Sequence, residues 1–199
     1  MSSHSTDPKV PQPESFEFTP EYMEKAKVFI AKYPAGRQRS AVMPLLDLAQ
    51  RQEGWLSRTA MDYIADLLDV PAIRVYEVAT FYTMYRLRPV GRHHIQLCTN
   101  ISCWLRGSDD VKRAAEEVFG LHFGESNDEA TLEEVECAGA CCNAPVAQIG
   151  DDYYEDLTYE NAKALFQDLK DGKPVKVGSQ IGRSGSCPEG GPTTLKELG

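Results

Sequence analysis

The sequence predicts an α+β protein: a small N-terminal helical bundle, then an α/β domain with a mixed sheet of about four strands. Two observations predict it. In the first half, apolar residues recur at intervals of three and four, the period of a helix buried along one stripe. After "RLRPVGR", residues 86–92, short alternating runs take over, separated by amphipathic helices.

Each element carries its own signal. In "FTPEYMEKAKVFIAKYP", Thr19 serves as N-cap and Pro20 as first helical residue, with Tyr22, Ala26, Phe29, Ile30 and Tyr33 along one face. A second helix spans about 41–52, tolerates Pro44 in its first turn and stops at Gly54. Ser57 caps a third helix, striped by Met61, Ile64, Ala65 and Leu68. Pro71 opens a fourth, striped by Val75, Val78, Ala79 and Tyr82. The aromatic trio Phe81, Tyr82 and Tyr85 is expected to pack in a core or between domains. "HHIQLCT" alternates as a strand, and "SDDVKRAAEEVFG" follows as a helix with Ser108 as cap and Gly120 as stop. "TLEEVEC", "PVAQIG" and "DDYYEDLT" supply three more strands, and "YENAKALFQDLKDG" closes the domain as a helix. The expected organisation is a disordered arm over 1–18, helices over 19–88, the sheet domain over 89–174 and an extended Gly/Ser/Pro-rich tail over 175–199.

Composition excludes several classes of function. The chain has 199 residues, a net charge of −9 and a pI near 5.0, with no Lys/Arg-rich block, so nucleic acid is not an expected partner. No apolar run is long enough to span a bilayer, so direct membrane insertion is not expected. The first residues lack the apolar core of a secretory signal and the Arg-rich character of a transit peptide. A cytosolic protein is expected, where clustered cysteines bind metal or do redox work more often than they form structural disulfides.

Six cysteines are present. Cys98 and Cys103 stand in "LCTNISC", directly after the first strand. Cys137, Cys141 and Cys142 stand in "VECAGACCNAP", directly after the second. Two strand-end loops at one sheet edge would gather two thiol pairs, as a structural zinc or a [2Fe–2S] cluster requires. Zinc knuckles favour gaps of two residues, whereas the gaps here are four and three. Gly139 between two alanines would let backbone amides approach inorganic sulfide. The plant-type ferredoxin pattern also starts with a four-residue gap, but its closely following third cysteine is missing. An iron–sulfur cluster, a zinc site and thiol chemistry therefore all remain open on spacing alone. No histidine lies in either cysteine loop, which argues against a Rieske-type centre. One or both of His93 and His94, on the first strand, are expected simply to meet solvent. "NIS" at 100–102 matches a glycosylation pattern but is read as chance.

"CTNISC" followed by "ECAGACCNAPVAQIGDDYYEDLT" resembles the thioredoxin-like [2Fe–2S] subunit of respiratory complex I, the NADH:quinone oxidoreductase. The resemblance continues through "FYTMYRLRPVGRHHIQLC" and the tail "GRSGSCPEGGPTTL", covering nearly all the chain after about Phe16. It implies a thioredoxin-like second domain and one [2Fe–2S] cluster, with Cys98 and Cys103 on one iron and Cys137 and Cys141 on the other. Cys141 is preferred to Cys142 by the family's three-residue gap; the rival register, through Cys142, would repeat the four-residue gap of the first loop. Cys187 is read as a free thiol. Ala138 departs from the leucine of many members, which should alter packing without removing a ligand. The resemblance further implies an electron-transfer subunit of a proton-translocating complex. Its partner would be a flavoprotein subunit binding FMN and NADH, together with the other subunits of the peripheral arm. With no Rossmann glycine fingerprint, this chain is not expected to oxidise NADH alone. The expected location is the cytoplasmic side of a bacterial inner membrane, or the matrix side in a processed organellar form. The alternatives are a diaphorase-module subunit of an NAD-linked formate dehydrogenase or hydrogenase, and a zinc- or thiol-based interaction module.

Overall fold

The protein is described by a computed structural model over residues 10–191 and 193–194. It separates into two compact units, the first ending at Pro89 and the second beginning at Val90.

The first unit is built of helices α1 (Pro20–Ile30), α2 (Val42–Glu53), α3 (Arg58–Leu68) and α4 (Ala72–Phe81). The expected caps are in place: the Thr19 hydroxyl accepts from the Tyr22 amide at 3.4 Å, and Ser57 from the Ala60 amide at 3.1 Å. Leu45, Leu46, Ile64 and Val75 are fully enclosed in the core. Of the aromatic trio, only Tyr85 is buried, its hydroxyl donating to the Met43 carbonyl at 2.9 Å; Phe81 is 76% exposed.

The arm expected over 1–18 is shortened from its inner end, and its residues 1–9 lie outside the described residues. Phe16 and Phe18 are buried, their rings meeting Tyr63 edge-on at 5.5 and 5.7 Å. Gln52 braces the same stretch, accepting from the Thr19 amide and donating to the Glu17 carbonyl. Two aromatic side chains bury enough apolar area to offset the entropy of ordering this segment.

The second unit is a five-stranded sheet in the order β2-β1-β3-β4-β5. Its strands are β1 (His93–Cys98), β2 (Ala130–Val135), β3 (Ala147–Ile149), β4 (Asp152–Glu155) and β5 (Gly178–Ser179). A short helix, α5 (Ile101–Leu105), precedes α6 (Ser108–Phe119), and α7 (Tyr159–Lys170) follows β4. Helices α6 and α7 supply Val111, Ala114, Leu165 and Phe166 to a core shared with Ile95, Leu97 and Leu132 of the sheet. Strands β1 and β2 are parallel, with Cys98 opposite Val135, so both end at one edge. Strand β3 runs antiparallel to β1, and the Cys98 amide donates to the Val146 carbonyl at 3.1 Å, so β3 starts at that edge too. Topology thus delivers both cysteine loops to one place.

Three expectations are corrected here. Helix α5 was not foreseen, because five residues are too few to display a period. Ser108 is the first helical residue rather than the cap: Gly107, at φ 96°, turns the chain into α6 and leaves the Ser108 hydroxyl buried. The tail is not loose throughout. Its residues 178–179 form β5, pairing in parallel with β4, because partners distant in sequence hold them.

Candidate metal centre

The site grows from the ends of β1 and β2. The Thr99 amide extends the ladder to the Val135 carbonyl at 3.3 Å, and the Thr99 hydroxyl donates to Glu134 at 2.6 Å. Asn100 caps α5, accepting from the Ile101 amide at 2.8 Å, and its side-chain amide reaches Glu136 of the second loop at 3.2 Å. The supposed glycosylation asparagine therefore has a structural role. Helix α5 then turns Cys103 inward, where Cys98, Cys103 and Ala144 form a small buried cluster, with Val135 and Ala138 against it. Ala138 is thus packed against the cluster that holds Cys98 and Cys103.

The second loop needs a left-handed residue to turn, and Gly139 supplies it at φ 80°. The Tyr153 hydroxyl pins the loop by donating to the Ala138 carbonyl at 2.8 Å. A 3₁₀ turn over Cys141–Asn143 follows. It sets the Cys141 sulfur 3.4 Å from that of Cys137, and the Gly139 amide donates to the Cys137 sulfur at 3.4 Å.

The two pairs meet. Ser102 of α5 and Cys98 both lie near enough to Cys141 to influence its ionisation. Burial, reinforced by a hydrogen bond with Cys98, pushes the Cys103 thiol up to about 12. The Cys141 thiol is raised chiefly by the Cys137 thiol beside it, with Ser102 opposing. A metal that took these sulfurs as thiolates would displace their protons.

Among the described residues, no three or more His, Cys, Asp or Glu side chains already surround a single ion position. What converges is two pairs of thiols, Cys98 with Cys103 and Cys137 with Cys141. Two thiolates on one tetrahedral metal at about 2.3 Å would stand roughly 3.8 Å apart. The 3.4 Å separation of Cys137 and Cys141 is close to that value. A [2Fe–2S] cluster takes a pair on each iron, and the donor set fits it.

Other candidates lie apart from this geometry. The Cys142 thiol has no bond to the four; its carbonyl is bound by Arg183. Cys187 stands in the tail as a half-buried free thiol. His94 does not meet solvent: it is buried, with Nε2 2.8 Å from Glu133 on the neighbouring strand. Sequence reasoning missed Ser102, Tyr153, Asp156 and Arg183. Only Asn100, a capping residue just ahead of a cysteine-bearing turn, gave a signal that could have been read.

A mixed sheet backed by two helices, with paired cysteines at one edge, defines a class of protein built to present thiols to a metal. Residues 26–170 match the family model of the thioredoxin-like [2Fe-2S] ferredoxin, and the chain belongs to that family. It is 51% identical over 159 residues to the NADH-quinone oxidoreductase E subunit of Rickettsia bellii, covering 78% of this chain and 95% of that one. The protein of the same name from Rickettsia prowazekii is 49% identical over 156 residues, 77% of this chain and 88% of the relative. Among solved structures, an NAD+-reducing [NiFe]-hydrogenase in the air-oxidized state superposes with a TM-score of 0.59 at 20% identity. That match covers 71% of this chain but 25% of the hydrogenase chain, and it is a likeness of fold.

Proposed function

We infer that this chain is the electron-transfer subunit of the NADH-oxidising module of a proton-translocating NADH:quinone oxidoreductase. It holds one [2Fe–2S] cluster through Cys98 and Cys103 on one iron and Cys137 and Cys141 on the other. The observation that carries this reading is the parallel register of β1 and β2, which ends Cys98 opposite Val135 and brings both loops together. The identity of about half to the Rickettsia oxidoreductase proteins supports the assignment to that complex.

The bound cluster supplies one-electron chemistry, exchanging electrons with FMN held, like NADH, on a flavoprotein partner. The chain's own residues set the conditions. Cys98 and Cys103 are buried and keep water from one side, while Cys137 and Cys141 are exposed and face the side from which a donor approaches. The Gly139 amide donates to the Cys137 sulfur, favouring the more negatively charged state, and Ser102 favours the ionised form of Cys141. Among the described residues, no helix is long and apolar enough to cross a membrane. The remaining peripheral-arm subunits then hold the chain to the cytoplasmic face of the membrane, or the matrix face in an organelle.

The hydrogenase likeness favours a second reading, a diaphorase module. Identity of 20% over a quarter of that chain is weaker support than 51% over nearly all of the Rickettsia bellii protein. The test is reduction by NADH. With the FMN-containing partner added, NADH should bleach the visible spectrum of this chain; alone, the chain should leave NADH untouched. NADH oxidation by the isolated chain, or no bleaching in the reconstituted pair, contradicts the assignment.

A further inference from the structure

Arg183 follows α7 in the stretch that patterning marks as loose, yet its side chain is 12% exposed and that of Asp156 is 4% exposed. Its Nη1 donates to Asp156 Oδ1 at 2.8 Å and to the Cys142 carbonyl at 3.0 Å, and its Nε donates to the Cys187 carbonyl at 2.8 Å. Asp156 is held in turn. Its Oδ2 accepts from the Ser179 hydroxyl at 2.7 Å, and the Ser179 oxygen accepts from the Arg183 amide at 3.1 Å. The Asp156 amide donates to the Asn143 carbonyl at 2.7 Å. The Asn143 side chain completes the clamp, donating to Glu155 at 2.7 Å and to the Gly185 carbonyl at 2.8 Å.

One acid–base pair thus grips two successive carbonyls, Cys142 and Asn143, of the turn that carries Cys141. Desolvation cancels much of the attraction in a buried ion pair, so net stability does not explain it. Fixing geometry does. A planar guanidinium can serve a carboxylate and two carbonyls at once, which an ammonium on a flexible stem does poorly.

We propose that Arg183, oriented by Asp156, is a positioning residue for the metal centre. It fastens the C-terminal segment onto the Cys141–Asn143 turn and holds the Cys141 sulfur beside that of Cys137. The proposal rests on the [2Fe–2S] reading of the site. It works through the Cys142 carbonyl, so the Cys142 thiol takes no part.

The test uses the full chain, purified anaerobically, with iron release to a ferrous chelator followed alongside hydrogen exchange of the amides over 139–143. Arg183→Ala should release iron about 10- to 100-fold faster, the usual effect of removing a group that orients a ligand. Arg183→Lys keeps the charge without the fork; it should lose most of the protection and shift the EPR lineshape. Ser184→Ala, a neighbour outside the clamp, should match the unsubstituted chain. In both arginine variants the 139–143 amides should exchange faster. Wild-type release and exchange in Arg183→Ala, or in Arg183→Lys should the alanine variant fail to fold, overturn the proposal. Full protection in the lysine variant with loss in the alanine variant also overturns it, because charge alone would then suffice. If the unsubstituted chain holds no iron, the cluster reading fails by itself, and amide exchange still decides whether Arg183 fixes the turn.

Discussion

At Cys141 the sulfur lies 3.4 Å from that of Cys137, whereas Cys142 contributes its carbonyl to Arg183. Adjacent residues in a 3₁₀ turn point their side chains apart, so only one of the two sulfurs stands beside Cys137. Cys142→Ser and Cys187→Ser should therefore keep the native visible and EPR spectra. Serine at Cys98, Cys103, Cys137 or Cys141 should abolish the cluster or change its spectrum markedly. Loss of the cluster in Cys142→Ser, with a native spectrum in Cys141→Ser, would show that the register of the second loop is wrong. Spacing alone allowed either cysteine, and only the family resemblance chose between them. Ser102, Asp156 and Arg183 left no trace in the sequence, because each acts on a partner brought near by folding.

Helix α5 has only five residues, yet it turns Cys103 into the buried cluster. So short a helix cannot persist on propensity, since nucleation costs more than one turn of hydrogen bonds returns. Asn100 is what starts it, and the same side chain ties it to Glu136. Asn100→Ala should destabilise the second unit by about 1 kcal/mol, the usual cost of losing a cap. Thermal unfolding of the full chain reads this, and an unchanged midpoint would deny the cap its role. The helices with long apolar stripes and Ser or Thr caps were legible within a residue or two, as α3 and α7 show. Helix α5 and strand β5 were not: a five-residue helix has no measurable period. A two-residue strand is too short to show alternation, and it pairs with β4 where Asp156 also bonds Ser179 and Arg183.

For the whole molecule, a change of hydrophobic period near residue 90 marks where one unit ends and the other begins. The edge where the cysteine loops meet could be anticipated from sequence only as a possibility; the parallel pairing of β1 with β2 places them there. Phe16, Phe18 and the folded-back tail were hidden because their polar and Gly-rich surroundings look unable to form a core, while their partners lie far along the chain. The central claim is that these two loops hold one [2Fe–2S] cluster. Its most direct test is the metal and sulfide content of the full chain, purified anaerobically, together with its EPR spectrum before and after dithionite. The protein should be reddish-brown, with about two irons and two inorganic sulfides per chain. Dithionite should bleach it and produce the signal of a reduced [2Fe–2S] centre. Stoichiometric zinc without iron in fresh material would contradict it.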